Sequence, residues 1–481
     1  MPSNNLSYDL IVIGGGSAGL TAAAAGLHLG AHVALIDRRA LGGECLWTGC
    51  VPSKSLIAAA RAAHQARALD RFGLSGSLGP VDLDAVMDRV QKVIATIERG
   101  ENADALRARG VDVHIGDARF LDPHTLDVDR RRLHGRAFII CTGSHASVPP
   151  ILGLDAVTHL TNETLFDLRR LPDHLIVAGG GPQGVEMAQA FRRLGSRVTV
   201  LVGPRGLLPR EDRESSAAVA AFFAREDITV HRTKITSVAG GEGASDAIHV
   251  SHEGGTIDGD ALLIALGRTP NVDGLGLEAA GVAYDHEHGI QVDPYLRTTA
   301  GHILACGDVT GPYLFTHAAG FQAATAVRNA LLPALKSKPA LEPMSWTTFT
   351  DPEIARAGLT EDEARRTHGD EILVLRSSFA HVDRARCDDQ AEGFVKLIVL
   401  PWRGTILGGH IVGAHAGELI QEVTLAMRHG LSASALGRTI HVYPTLSMGV
   451  QSAALSFLGL SRPARLLRRP LRALVRRAPA S

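Results

Sequence analysis

Tyr8-Asp-Leu-Ile-Val-Ile-Gly14-Gly-Gly-Ser-Ala-Gly19-Leu-Thr-Ala-Ala-Ala-Ala-Gly-Leu-His-Leu29 runs on into His32-Val-Ala-Leu-Ile-Asp37, and this order of elements decides the fold. Tyr8 to Ile13 reads as a short apolar strand, Gly14 to Gly19 as a tight turn, Leu20 to Leu29 as an Ala-rich helix, and His32 to Ile36 as a second strand. Gly14, Gly16 and Gly19 let the backbone approach a pyrophosphate, the helix N-terminus holds its charge, and Asp37 can accept from a ribose hydroxyl. A bare GxGxxG says little. Between strand and helix, with an acid 18 residues after Gly19, it specifies a dinucleotide-binding unit.

The next stretch carries chemistry: Gly42-Gly43-Glu44-Cys45-Leu46-Trp47-Thr48-Gly49-Cys50-Val51-Pro52-Ser53-Lys54. Helix formers follow Cys50, and Pro52 suits a first helical turn, where an N–H has no partner to lose. Cys50 therefore lies at a helix mouth, where unpaired N–H groups and the helix dipole favour a thiolate. Two cysteines this close can open and close as a disulfide. The other reading, metal-binding thiols, wants a second Cys/His pair at ligand spacing, and Cys141, Cys306 and Cys387 are scattered singly.

A second copy of the opening pattern starts at Leu175-Ile-Val-Ala178, turns through Gly179-Gly180-Gly181-Pro182-Gln183-Gly184-Val185-Glu186, and ends in the strand Arg197 to Val202. Two such units imply two nucleotide ligands. Between the copies, Val81 to Arg109 reads as one long helix and Val111 to Asp129 as short strands. Arg130 to Arg136 reads as a solvated basic loop, Phe138 to Ser144 as a buried strand, and Pro149-Pro150 as a boundary. Gly267-Arg-Thr-Pro-Asn271 closes the second unit, and His302 to Asp308 is a strand whose terminal acid can meet a polar cofactor chain. From about Glu342 the texture becomes α+β, with alternation in Phe394 to Leu400 and Ile406 to Val412 and helices near Glu418 to His429 and Leu446 to Phe457.

The expected architecture is α/β: two Rossmann-like dinucleotide-binding domains, residues 1–150 with 271–335 and residues 151–270, then an α+β domain over 340–460. Residues 461–481 hold seven arginines and no acid and read as a disordered basic tail, with an anionic-membrane or nucleic-acid contact as the alternative. The chain as a whole carries 49 basic and 50 acidic residues, so no global field draws it to nucleic acid. Five cysteines, an odd number, fit a reducing compartment with one working disulfide. With no basic leader and no apolar run long enough to span a bilayer, the expected location is cytoplasmic.

Taken in order, these motifs resemble the class I flavoprotein disulfide reductases, which include dihydrolipoyl dehydrogenase, glutathione reductase and mercuric reductase. The resemblance spans about residues 8 to 460. It implies that the first unit binds FAD through Gly14, Gly16, Gly19, Asp37, Gly43, Lys54, Thr142, Gly143 and Asp308. It implies that the second binds NAD(P)H through Gly179, Gly181, Gly184, Arg205 and Gly267, and that the last domain forms a homodimer interface. Hydride would pass from nicotinamide to flavin, and then as an electron pair to the Cys45–Cys50 disulfide. Cys50 matches the family's flavin-side thiol and Cys45 its interchange thiol. Lys54 and Glu186 match an ion pair beside the flavin, where Lys54 would stabilise an anionic reduced ring.

One stretch departs from the pattern. Disulfide-reducing branches carry His-Pro-Thr with a Glu five residues after the His, whereas this chain has Tyr443-Pro444-Thr445, with Met448 at the Glu position. A tyrosine of ordinary pKa near 10 is a poor base at neutral pH, and Met cannot orient it by charge. Mercuric reductases also have a Tyr here but carry a C-terminal cysteine pair, which this chain lacks. His441, two residues before Tyr443, is the candidate for acid–base help.

The expected function is electron transfer from NAD(P)H through FAD and Cys45–Cys50 to a small-molecule acceptor. The acceptor is a disulfide or a thiol-bound metal ion; a quinone-type diaphorase and a flavin-loaded sensor docking through the tail are alternatives. The second strand ends in Val202-Gly203-Pro204-Arg205 without an acid, and Arg205 and Arg210 favour NADPH over NADH. His286-Glu287-His288 and Cys387 read as surface residues, Cys141 and Cys306 as core, and Glu418 and Glu422 as structural partners on one helical face. No resident metal is expected.

Overall fold

The computed structural model describes residues 6–240, 247–462 and 466. The chain divides into two compact units. One comprises 1–179, 193–197 and 233–341, and the other 180–192, 198–232 and 342–481.

The first unit is built on a sheet of β1 (Leu6–Ile13), β2 (Val33–Asp37), β3 (Asp112–Ile115), β4 (Ala118–Asp122), β5 (Thr125–Val128) and β6 (Arg131–Ile140), in the order β3-β2-β1-β6-β5-β4. The strand Ile303–Ala305 joins it by pairing parallel with β6. β1, β2, β3 and β6 also run parallel, so their apolar runs are buried on both faces. On one face Leu10, Val12, Leu35 and Ile139 pack against α1 (Ser17–His28) and the helix Thr316–Leu331; on the other Ile11, Ile13, Ile36, Phe138 and Ile140 form a second core layer. Each such side chain contributes about 1.5–3 kcal/mol on burial. α1 approaches closely because it is made of small residues: a Cβ on Gly26 would lie 2.9 Å from Leu10 Cδ2.

Two expectations are corrected here. The long helix over Val81 to Arg109 is two helices, α4 (Leu83–Glu101) and then Ala103–Ala108. The Asn102 side chain caps the second by accepting from the Ala105 N–H at 2.9 Å, which competes with continuing the first. The basic loop Arg130 to Arg136 is mostly the start of β6. Leu133 and Gly135 face inward while Arg132, His134 and Arg136 face out, a period of two that the charge run masked.

In the second unit the strands Ser345–Thr348, Glu353–Gly358, Ile406–Gly413, Phe394–Val399 and Leu373–Ser378 form, in that order, an antiparallel sheet. The helices Ala416–Arg428 and Met448–Leu455 cover its apolar face. Register places Trp346, Arg356, His410, Lys396 and Arg376 side by side across all five strands. The middle of this row, Arg356, His410 and Lys396, is buried, with acids against it. Lys396 Nζ lies 2.9 Å from Asp212 and 2.8 Å from both Glu214 and Glu361, Arg356 pairs with Glu363, and Trp346 donates to Glu211 at 2.6 Å. Charges taken from water are tolerated only with partners this close.

Residues 463–465 and 467–481, most of the expected basic tail, lie outside the described residues. Among the described residues no helix is long and apolar enough to cross a membrane.

Candidate active site

The site grows from the carboxyl ends of β1, β2 and β6, where an open parallel sheet places its ligands. Gly14, at φ +101°, ends β1; a Cβ there would fall on the carbonyl of Cys141, and one on Gly19 would strike the carbonyl of Gly14. The turn is thus closed to any side chain. It delivers Gly16 to the mouth of α1, where a Cβ would meet nothing nearer than Gly43 Cα at 3.7 Å. That cradle, lined by backbone at a helix N-terminus, fits the pyrophosphate of FAD. Asp37 ends β2 and accepts from the N–H groups of Gly15 at 2.7 Å and Arg39 at 2.9 Å, which aims its carboxylate along the turn.

Gly42, at φ +101°, donates its N–H to the Gly15 carbonyl at 2.8 Å, so the cysteine segment is sewn directly to this turn. Gly43 packs against Gly16 with no room for a Cβ. α2 (Gly43–Trp47) carries Cys45, and α3 (Cys50–Arg67) opens with Cys50 as its first residue and holds Lys54 in its second turn. The two cysteines are brought together in hydrogen-bond contact, with no disulfide between them. Donation to Cys50, and then burial, hold the Cys45 thiol well above the ordinary thiol range, while Thr316 and Ser17 pull the other way. Cys50 Sγ lies 3.4 Å from Thr316 Oγ1. Cys50 is exposed and Cys45 half-buried, so exposure by itself ranks the pair opposite to the expected interchange role of Cys45.

Around the pair runs a polar network that the sequence reading missed. Glu44 receives both ends of the Arg268 guanidinium, one at 2.7 Å, and also the Asn162 amide at 3.0 Å. Arg268 reaches on to Ser144 Oγ at 3.0 Å, and Ser144 donates to Asp308 at 2.7 Å. One fork therefore ties together the segments bearing Glu44, Ser144 and Asp308. Burial pushes the Glu44 carboxyl up to about 7 against the pull of Arg268. Thr142 Oγ1 donates to the Asn271 carbonyl at 2.7 Å, Asn271 Nδ2 returns a bond to Thr142 at 2.8 Å, and Asn271 N–H reaches the Gly143 carbonyl at 2.9 Å. Gly143, at φ +70°, has open space where a Cβ would stand. Ser147 donates its N–H to Gly267 at 3.0 Å. Glu44 and Arg268 both sat in motifs already singled out, but nothing in one dimension pairs residues 224 positions apart.

The remaining candidates sit on other elements of the chain. Gly179, at φ +131°, is pressed against the Ala265 carbonyl; Gly181 has open space; and Gly184 is buried in the helix Pro182–Leu194. Glu186, on the same helix, is buried and accepts from the Phe349 N–H at 2.8 Å. Arg205 is exposed after the strand Arg197–Val202. A further arginine, Arg232, stands opposite Val202 in register, with its guanidinium 3.3 Å from where a Cβ on Gly206 would be. In the last domain Tyr443 is exposed and its hydroxyl bonds Asp383 at 3.2 Å, while Met448 opens the helix Met448–Leu455. His441 is held between the Thr439 carbonyl at 2.8 Å and Glu422 at 2.7 Å. Glu418 is exposed on the same helix as Glu422, Cys387 is exposed, and His286 and His288 pair with Asp273 and Asp285. Among the described residues no three His, Cys, Asp or Glu are placed to hold a metal ion.

Residues 8–328 match the family described as pyridine nucleotide-disulphide oxidoreductase, and residues 344–454 match its dimerisation domain. A mercuric reductase of Streptomyces lividans is 36% identical over 461 residues, covering 94% of this chain and 96% of that protein. A dihydrolipoyl dehydrogenase of Thermus scotoductus is 37% identical over 463 residues, covering 93% and 97%. Among solved structures, the Cu(II) complex of the HOCl-induced flavoprotein disulfide reductase RclA from Escherichia coli superposes with a TM-score of 0.84 at 30% identity, covering 94% of this chain and 99% of that one. Cysteine pair, glycine turns and dimerisation domain agree with these matches, and this chain belongs to the pyridine nucleotide-disulphide oxidoreductases, FAD-containing oxidoreductases that use NAD(P)H.

Proposed function

We propose that this oxidoreductase carries an electron pair from NAD(P)H to the Cys45–Cys50 disulfide and on to a thiophilic metal ion. The observation that carries the reading is the pair of thiols in contact at the N-terminus of α3, stitched to the first glycine turn through Gly42. FAD, when bound, accepts a hydride and returns it as an electron pair. Gly14, Gly16, Gly19 and Asp37 hold its dinucleotide portion, and Thr142, Gly143, Asp308 and Gly43 frame the remainder. Both thiols touch Thr316, and Cys45 also reaches Ser17; by its place in the family's motif Cys50 is the thiol that faces the cofactor, which leaves Cys45 to engage the acceptor. Two electrons and two protons open the disulfide; as the acceptor takes the electrons, the sulfurs rejoin and the protons leave.

A thiolate-bound metal ion needs no proton on a leaving sulfur, and so tolerates Tyr443 and Met448 where other branches have His and Glu. Relatives named mercuric reductase and a neighbour solved as its Cu(II) complex point the same way. The second reading, a small disulfide acceptor, is favoured by one contact, His441 with Glu422. Lys54 and Glu186 as an ion pair beside the flavin, residues 1–150 with 271–335 as the FAD domain, 151–270 as the NAD(P) domain and a homodimer through 340–460 belong to the same proposal.

Anaerobic titration with NADPH tests it. The wild type should develop the long-wavelength thiolate-to-flavin band and Cys50→Ser should not; Hg(II), Cu(II), small disulfides and quinones are then compared as acceptors. A missing band in the wild type, with quinone turnover intact in Cys45→Ser, would make the protein a diaphorase instead.

A further inference from the structure

Cys141 and Cys306 were read as separate core residues, yet the fold sets them side by side. Cys141 follows β6 and Cys306 follows the strand Ile303–Ala305. The parallel register Ala305↔Ile140, with the Cys306 N–H on the Ile140 carbonyl at 3.1 Å, makes the cysteines the next pair along. Their sulfurs lie 3.5 Å apart, 165 residues distant in sequence. Neighbouring strands are about 4.8 Å apart, inside the Cα range a disulfide accepts, so closing the bond to about 2.05 Å asks for a local adjustment at the strand ends and no change of fold.

Their position gives the pair a consequence. Cys141 immediately precedes Thr142-Gly143, Cys306 immediately precedes Gly307-Asp308, and the carbonyl of Cys141 walls the Gly14 turn. The loops leaving the two cysteines already meet through Ser144 and Asp308 at 2.7 Å, and Gln322 holds the Gly307 N–H at 2.8 Å. The strand Ile303–Ala305 returns to this sheet only after a long excursion of the chain. A covalent link at that point ties the returning segment to the sheet and removes a large loop entropy from the open state.

We propose that Cys141 and Cys306 form a second redox pair, an oxidant-closed staple beneath the flavin cradle and distinct from Cys45–Cys50. The oxidant is a hydroperoxide, small and uncharged enough to reach a site where Cys141 is 5% and Cys306 0% exposed. One sulfur attacks the peroxide oxygen and becomes a sulfenic acid with release of water (for hydrogen peroxide). The other displaces the hydroxyl as a second water, and the S–S bond forms. Two thiols lose two electrons, and the peroxide gains them together with the two protons. The S–H···S contact and then burial keep the Cys141 thiol protonated, so closure is slow and responds to sustained exposure.

The test uses FAD-loaded Cys45→Ser/Cys50→Ser protein, in which the first pair is absent, treated with hydrogen peroxide, alkylated and digested. The expected result is a Cys141–Cys306 linked peptide that dithiothreitol releases. The oxidised protein should also lose FAD more slowly and unfold at higher urea than the reduced one, and Cys306→Ala should show neither the link nor the shift. Free Cys141 and Cys306 after prolonged treatment, over-oxidised but unlinked sulfurs, or linkage only in unfolded protein would each overturn the proposal. The wild type's NADPH titration reads the Cys45–Cys50 pair separately, so failure of one reading leaves the other standing.

Discussion

His441 Nε2 lies 2.7 Å from Glu422 Oε1, and the opposite ring nitrogen faces the Thr439 carbonyl at 2.8 Å. A carboxylate on the helix Ala416–Arg428 thus holds the imidazole of the chain segment beside it. Glu422 was expected to serve a structural salt bridge; its partner turns out to be the histidine singled out for acid–base help.

If this pair moves protons, it does so for disulfide acceptors and not for metal ions. His441→Ala and Glu422→Gln should lower turnover of small disulfides by about 100-fold, the lower end for general acid–base catalysis. Turnover of Hg(II) or Cu(II) should stay within twofold. Equal losses with both acceptor classes would assign the pair to folding alone.

Nucleotide choice is expected to rest on arginine charge. A hydrogen bond to a charged group is worth about 1.5–3 kcal/mol, so Arg205→Ala or Arg232→Ala should raise the NADPH KM by about tenfold or more and leave the NADH KM nearly unchanged. Parallel Michaelis constants for the two nucleotides decide it.

The buried row in the second unit sets acid stability. Removing the Lys396 ammonium takes the cation from the buried Asp212 and leaves Glu214 and Glu361 to Arg376 and Arg365, and Lys396→Ala should cost about 3–5 kcal/mol in urea titration at pH 7. Arg376 first, and then Lys396, hold Glu214 below the usual carboxylate range; burial raises Asp212 and Glu361, but Lys396 together with the Glu361 N–H on Asp212 and Arg365 on Glu361 outweighs it and holds both low. Folded values below unfolded ones mean that the stabilisation is complete above the ordinary carboxylate range and is lost as pH falls through the lowered values. The wild type should therefore lose stability steeply in acid, and Lys396→Met should show a shallower slope.

Glu44 acts with the opposite sign. Its folded carboxyl titrates at about 7 against an ordinary 4.5, so the native state binds the proton more tightly, and that contribution fades as pH rises between the two values. In thermal melts across that window, Glu44→Gln should gain on the wild type as pH increases. A constant offset would show that the carboxyl stays ionised on Arg268 throughout.

The sequence by itself determined the glycine turns, the cysteine pair and the departure at Tyr443, because each is written in contiguous residues. A strand, glycine turn and helix must share neighbours, and so must two cysteines flanking a helix mouth. Local competition was harder to see, as where Asn102 ends α4 and where alternation hides under the arginines of β6. Only the tertiary structure decided the pairs that carry the finer chemistry: Glu44 with Arg268, His441 with Glu422, Lys396 with its three acids, and Cys141 with Cys306. Each joins residues that strand register or helix packing brings together from distant positions. A pattern confined to neighbours along the chain holds no record of which strand lies beside which.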